Sequence, residues 1–382
     1  MKVVLLVAEG LSDDPVAEMG GRTPLEIAKT PALTRLAKEG QVGTAQFAPH
    51  ELPLGPDVAL LGALGYDPLE FYTGRAPLEA LAAGVKQDDL DVAFRCDFVT
   101  VADDILVDPT AGRIGPKESK ALLEDLRKNL GSRMRLHGGD GYRNLLVVSE
   151  PELTDDLDEL ESVPAERIVG QDVRRYLPKG RGEEVLRGFL EKARALLDGH
   201  EINRIRVDLN ENPANCLWAW GQGKRPHLPR FTEKRPVRAA AMVSTREFAR
   251  GLGLAAGLEN QKDLVQAIAD HEFTAAYVPA KEPLHKKNLK TKVRQIEAFD
   301  SGVVAPVLVA LEAAGEPWRL VVTTDNPESL ARGTALHGRV PFVIRGQGIE
   351  PQGAEGFHEK AASRPKLSFE QGWRLMDFFL KK

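Results

Sequence analysis

Two carboxylates stand where strands hand their ends to a ligand. Lys2 to Ala8 is an unbroken β-branched and leucine run that stops at Glu9-Gly10, so it reads as a fully buried parallel strand with Glu9 at its carboxyl end. Arg319 to Thr324 is a second such run and stops at Asp325. In open α/β sheets ligands bind at those ends, and carboxylates gathered there can hold cations or neutralise a basic group. The chain has eight histidines that could in principle join them, and a solitary histidine is more often a hydrogen-bonded core or surface residue than a ligand.

A different chemistry is offered by Glu51 to Val85. Gly62, Gly65, Gly74 and Gly84 punctuate two short apolar turns, a Tyr66-Asp67-Pro68 break, and the Tyr72-Thr73-Gly74-Arg75 loop that opens a helix. Such punctuation suits a loop that handles phosphate, because glycine lets backbone N–H groups approach an anion. Arg75 and Gly74 are therefore candidate substrate-binding residues, the alternative for Arg75 being a solvent-exposed arginine.

The elements that must position these groups alternate between strand and helix. Thr30-Pro31, then Ala32, Leu33 and Leu36, then Gly40 read as a helix with a capping threonine, a first-turn proline and a terminal glycine. Strands are expected at Gly43–Phe47, Val92–Val101, Tyr142–Val148, Ala239–Val243, Thr274–Val278 and Val340–Ile344. Helices are expected at Lys117–Asn129, at Ser244–Gly251 and, as one long element, at Asn288–Leu311 with Val293, Ile296, Val303, Val307 and Leu311 on its apolar face. Glu150–Glu161 reads as an acidic connector. Trp218 and Trp220 alternate along a strand as packing residues. This order implies an α/β fold, a doubly wound sheet with helices on both faces and a smaller inserted α+β domain: core 1–106, insert 107–235, core 236–382.

With 382 residues, 42% of them apolar, the chain can bury one large core or two ordinary ones. Its 51 basic and 56 acidic residues give a net charge of -5 with no Lys/Arg block long enough to follow a nucleic-acid backbone, so a nucleic-acid partner is not expected. Val3 to Ala8 is too short to span a membrane or to form a signal-peptide core, which implies no membrane partner and a cytoplasmic location. Cys96 and Cys216 have no CxxC companion and read as buried, reduced thiols.

Leu64 to Pro68 (LGYDP), Tyr72 to Leu81 (YTGRAPLEAL), Ala93 to Asp97 (AFRCD) and Asn215 to Gly223 (NCLWAWGQG) together resemble the archaeal-type cofactor-independent phosphoglycerate mutases, members of the alkaline phosphatase superfamily. The resemblance runs from Lys2 to the last helix. It implies an alkaline phosphatase-like core and interconversion of 3-phosphoglycerate and 2-phosphoglycerate through a phosphoserine, assisted by two divalent ions, manganese or zinc.

The motif positions depart from that pattern. The family's Gly-Ser-Asp-Val-Ala, with the nucleophilic serine, reads Gly55-Pro56-Asp57-Val58-Ala59; proline has neither a hydroxyl nor a backbone N–H. Among the metal positions the first-strand aspartate is Glu9, the Asp-His pair is Asp325-Asn326, and the Asp-Glu-x-x-His motif is Lys281-Glu282-Pro283-Leu284-His285. The later histidine corresponds to His337. The Pro-Pro-His-Asp of the insert is Pro164-Ala165-Glu166-Arg167, and the family's Gly-rich loop has no counterpart between Gly257 and Asp270.

An amide is a poor ligand for a transition metal, and protonated Lys281 has no lone pair and repels a dication. His285, His337 and Asp325 could still supply a two-histidine, one-carboxylate set for a single ion, but Lys281 opposes it. The expectation is therefore a degenerate site with no catalytic residue of the family mechanism. Glu9, Lys281, His285, Asp325, Asn326 and His337 are vestigial metal positions, Lys281 is the expected partner of Glu9 in place of an ion, and no metal cofactor is used. The implied role is a ligand-binding or regulatory relic for a phosphorylated small molecule such as phosphoglycerate, with an unidentified protein partner. The alternatives are an active mutase or metal-dependent phosphomonoesterase with a rearranged site, using Thr73 or an activated water in place of the serine, and an oligomeric scaffold.

Overall fold

The computed structural model describes residues 1–129, 133–280, 288–365 and 367–381. Contacts divide the chain into two compact units, Met1–Tyr72 with His227–Lys382, and Thr73–Pro226. No helix among the described residues is long and apolar enough to cross a membrane.

The first unit is built on an eight-stranded sheet. Its order is Ser368–Phe369, Gln41–Ala45, Val340–Gly346, Trp318–Thr324, Lys2–Ala8, Phe273–Val278, Ala240–Val243 and Glu259–Gln261. Val340–Gly346 runs antiparallel to both neighbours; the other pairings are parallel. Alternate residues of a strand face opposite sides, and both sides are covered, which is why Lys2–Ala8 is apolar throughout. Val4, Leu6 and Val322 lie with Leu33, Leu36, Phe299 and Val307 on one side. On the other, Phe248 of the helix Glu247–Ala255 meets Tyr277 edge-on at 5.1 Å and Phe231 stacks on Phe273 at 4.3 Å. Each fully buried leucine or valine contributes about 1.5–3 kcal/mol.

Two helices differ from the sequence expectation for local reasons. The helix Pro31–Glu39 starts after Thr30, but the Thr30 side chain does not cap it. The carboxylate of buried Asp300 does so instead, accepting from Ala32 N at 3.1 Å and Leu33 N at 2.7 Å. The expected long helix over 288–311 is three pieces: Leu289–Phe299, a π-helical turn Asp300–Val304, and Ala305–Ala313. Pro306 has no N–H for the carbonyl four residues back and its ring crowds that turn, so the ladder widens there. That wide turn carries Asp300.

The second unit holds a five-stranded antiparallel sheet around the 11-residue strand Val92–Ala102. It pairs with Asn144–Val148, Cys216–Gly223 and Ile105–Asp108, and Met134–Gly138 pairs with Asn144–Val148. Val92–Ala102 finds its partners within Thr73–Pro226, the second compact unit. The helices Pro116–Asn129 and Glu183–Asp198 cover one face through Leu122, Leu126, Leu186 and Phe189. The acidic stretch 150–161 is not a plain connector but carries the short helical turns Pro151–Leu153 and Thr154–Asp158. Cys96 and Cys216 are both free and buried.

Candidate functional site

Parallel register brings the first two carboxylates side by side. Ala8 pairs with Thr324 on one flank and Val278 on the other, so Glu9 and Asp325 leave the sheet at the same level. Asp325 is buried. Its Oδ1 accepts from Gly10 N at 3.0 Å and Asn326 N at 2.8 Å, and its Oδ2 accepts the Tyr277 hydroxyl at 3.0 Å. Burial, with the nearby Glu9 charge, raises the Asp325 carboxyl above its ordinary range; the three donors oppose that rise. Burial and the same two carboxylates raise the Tyr277 phenol well above its ordinary value, so it is a hydrogen-bond donor at any physiological pH.

Glu9 is held from another direction. Its Oε2 accepts from Arg246 at 2.6 Å and from Ala280 N at 2.9 Å. Arg246 sits at the N-cap of the helix Glu247–Ala255, where its backbone N–H donates to Ser244 Oγ at 3.1 Å; Ser244 Oγ in turn donates to the Tyr277 carbonyl at 2.9 Å. The guanidinium is thus fixed to the same strand whose tyrosine serves Asp325.

A second buried cation lies nearby. Lys292, 5% exposed at its side chain, bridges Asp13, at 3.3 Å, and Glu328. Burial pushes the Glu328 carboxyl up to about 7 against the opposing pull of Lys292. A Cβ on Gly10, whose φ is +67°, would lie 2.6 Å from Glu328 Oε1, so only glycine lets this carboxylate close over the strand end.

The remaining expected positions are dispersed. Pro56 is the first residue of the helix Pro56–Ala63, and the following buried Asp57 accepts the Tyr72 hydroxyl at 2.6 Å. Asn326 is buried beside Asp325. His337 follows the short strand Thr334–Ala335, its ring 4.8 Å from that of His50. Lys281 and His285 lie outside the described residues. Within those residues, the cation on Glu9 is Arg246, which no motif pointed to. The two members of that pair are 237 positions apart, and no local feature of the sequence marks it.

In the second unit Gly74 precedes the helix Arg75–Ala82 with φ +129°, and a Cβ there would run into the Gln222 carbonyl. Arg75 Nε donates to Glu79 Oε1 at 2.8 Å. Glu79 is shared with buried Arg95 at 2.8 Å, Arg95 also pairs with Asp97 at 2.8 Å, and Trp220 Nε1 donates to Asp97 at 2.9 Å. The Arg75 and Arg95 guanidiniums lie 5.8 and 5.2 Å from the Trp220 ring centroid. Trp218 is buried in the same cluster and donates to the Val163 carbonyl at 2.8 Å. Arg75 is therefore an anchored arginine rather than a loose surface one.

The donor set can be tested against the two divalent ions that the resemblance implies. Among the described residues no three His, Cys, Asp or Glu side chains converge as a metal-holding group. Glu9 already has a guanidinium at 2.6 Å. At an effective dielectric constant of 20, two unit charges 4 Å apart interact by about 4 kcal/mol, so a dication on the same carboxylate meets a severe penalty. The described residues do not by themselves assemble a site for the ions, and the motif positions Lys281 to His285 lie outside them.

The family model for 2,3-bisphosphoglycerate-independent phosphoglycerate mutase matches residues 37–203. A 2,3-bisphosphoglycerate-independent phosphoglycerate mutase of Methanothrix thermoacetophila is 35% identical over 390 residues, covering 97% of each chain. A probable enzyme of the same description from Geobacter sulfurreducens is 34% identical over 406 residues, covering 100% of each. Among solved structures, a Pyrococcus horikoshii protein has a TM-score of 0.79 at 25% identity, covering 99% of this chain and 96% of that one. The cofactor-independent phosphoglycerate mutase of Thermoplasma acidophilum has a TM-score of 0.62 at 28% identity, covering 99% of each. Similarity of this extent, over both units, makes the chain a member of the 2,3-bisphosphoglycerate-independent phosphoglycerate mutase family.

Proposed function

We propose that this chain is a mutase relative that has left metal-assisted phosphoserine chemistry and binds a phosphorylated small molecule of the phosphoglycerate class in the cytoplasm. The observation that carries the reading is Pro56 at the start of the helix Pro56–Ala63, where a nucleophile would need a hydroxyl. The carboxylates at Glu9 and Asp325 are engaged by protein donors, which agrees with a site that does not recruit ions. Arg75 and the backbone beside Gly74 receive the phosphate, with the Glu79 bond setting the direction of the guanidinium. The test is calorimetric titration of chelator-treated protein with 3-phosphoglycerate. Saturable binding, weakened about tenfold or more by Arg75→Ala, is the expected result; no binding in the folded wild type overturns the reading.

One observation favours a second reading, an enzyme with a relocated nucleophile. Thr73 Oγ1 is buried and has no hydrogen-bond partner among the described residues. Phosphatase activity on phosphoglycerate that disappears in Thr73→Ala would support it.

A further inference from the structure

We propose that Arg246 and Tyr277 together do the electrostatic work of a metal at the strand ends, and that among the described residues Arg246 is the side chain that keeps divalent cations off Glu9. The inference deepens the metal-free reading above and rests on it.

The geometry distributes the task between two donors. A cation bound between Glu9 and Asp325 would supply positive charge to both carboxylates. Here Arg246 supplies a full charge to Glu9 at 2.6 Å, reinforced by Ala280 N at 2.9 Å. Among the described residues Asp325 receives no cation directly; it is satisfied by neutral donors, the Tyr277 hydroxyl at 3.0 Å and the N–H groups of Gly10 and Asn326. The two halves are mechanically one device, because Ser244 Oγ joins the Arg246 backbone to the Tyr277 carbonyl.

The arrangement is also selective about which cation it tolerates. Guanidinium is planar, always charged and weakly hydrated, so it sits half-buried against a carboxylate where a hydrated ion would first have to lose water. Arg246 and Glu9 retain 31% and 24% side-chain exposure, so the pair is open to challenge by ions in solution and its occupancy can be titrated. A divalent cation approaching Glu9 must displace the arginine or sit beside it, and both are unfavourable. Among the described residues, removing Arg246 leaves Glu9 with one backbone donor and no counter-charge.

The experiment measures Mn2+ binding to the full-length protein by calorimetry and by manganese electron paramagnetic resonance, for wild type, Arg246→Ala, Glu9→Gln and the double variant, with far-ultraviolet circular dichroism to confirm folding. Arg246→Ala is expected to bind Mn2+ at least about tenfold more tightly than wild type, and Glu9→Gln in that background is expected to abolish the gain. Arg246→Lys, which keeps the charge, is expected to resemble wild type, and Arg246→Gln replaces Arg246→Ala should the latter not fold. Equal affinity in wild type and both neutral variants overturns the proposal. Its failure is distinct from failure of the metal-free reading: tight Mn2+ binding with mutase turnover in wild type removes that reading, whereas an inactive wild type whose weak Mn2+ binding does not respond to Arg246 removes only this inference.

Discussion

The Tyr277 hydroxyl donates to Asp325 Oδ2 at 3.0 Å, joining two side chains that the sheet presents from parallel strands on either side of Lys2–Ala8. Both are buried, so the phenol stands where water or an ion would otherwise solvate the carboxylate. Tyr277→Phe removes the donor and leaves the acceptor in place. A loss of about 1–3 kcal/mol in urea denaturation is expected; an unchanged midpoint would show that Asp325 does not depend on it.

Arg95 is a second site where a buried charge is balanced locally, between Glu79 and Asp97 and under Trp220. Arg95→Met leaves two buried carboxylates facing each other without the cation. The expected cost is about 3–5 kcal/mol, read by chemical denaturation, together with altered Trp220 fluorescence. A variant as stable as wild type would show that the network is not balanced by Arg95.

Asp300 caps a helix from which it is separated by more than 260 positions. Asp300→Ala strips the acceptor from Ala32 N and Leu33 N, and a loss of about 2 kcal/mol in thermal or urea unfolding is expected. Thr30→Ala is expected to change stability by less, because the Thr30 hydroxyl does not serve the helix.

These caps and pairs mark the limit of what sequence could disclose. The strands Lys2–Ala8 and Trp318–Thr324 were legible because burial on both faces demands unbroken apolar runs. The helical period across 288–311 was legible too, but the π turn was not, since it depends on how Pro306 and Asp300 are received by a distant helix. The partners of Val92–Ala102 were not legible, because a strand pattern is silent about what it pairs with. At the site, the positions of Glu9 and Asp325 followed from strand ends, while Arg246 was hidden in a segment with no motif.

The thiols give a pH prediction with a definite sign. Burial pushes Cys216 up to about 12 from an ordinary value near 9, and Cys96 rises in the same direction. Between those values the unfolded chain loses the Cys216 proton while the native chain keeps it, so stability falls as pH rises above about 9, by about 1.4 kcal/mol per pH unit per thiol. Urea denaturation between pH 8 and pH 10.5 (an experimental window of about this width) is expected to show this slope, and Cys216→Ala to reduce it by about one proton's worth. A slope that Cys216→Ala leaves unaltered contradicts the assignment.

Pro56 is the position that we propose stands in place of the family's nucleophile. Pro56→Ser is expected to fold with a change within about 1 kcal/mol, since the first helical position tolerates serine, and to show no turnover. With Arg246 also replaced by alanine, the variant Pro56→Ser, Lys281→Asp, Asn326→His is expected to regain metal binding. A folded variant of this set that binds no manganese would count against the assigned positions.

The most direct test of the central claim is a coupled assay of 3-phosphoglycerate conversion to 2-phosphoglycerate by the wild-type protein in excess Mn2+, with bound metal measured by elemental analysis on the same sample. No turnover above the protein-free rate, with manganese well below one ion per chain, is the predicted result. Turnover accompanied by stoichiometric metal would contradict it, and would mean that a nucleophile other than residue 56 works beside ions that Arg246 does not exclude.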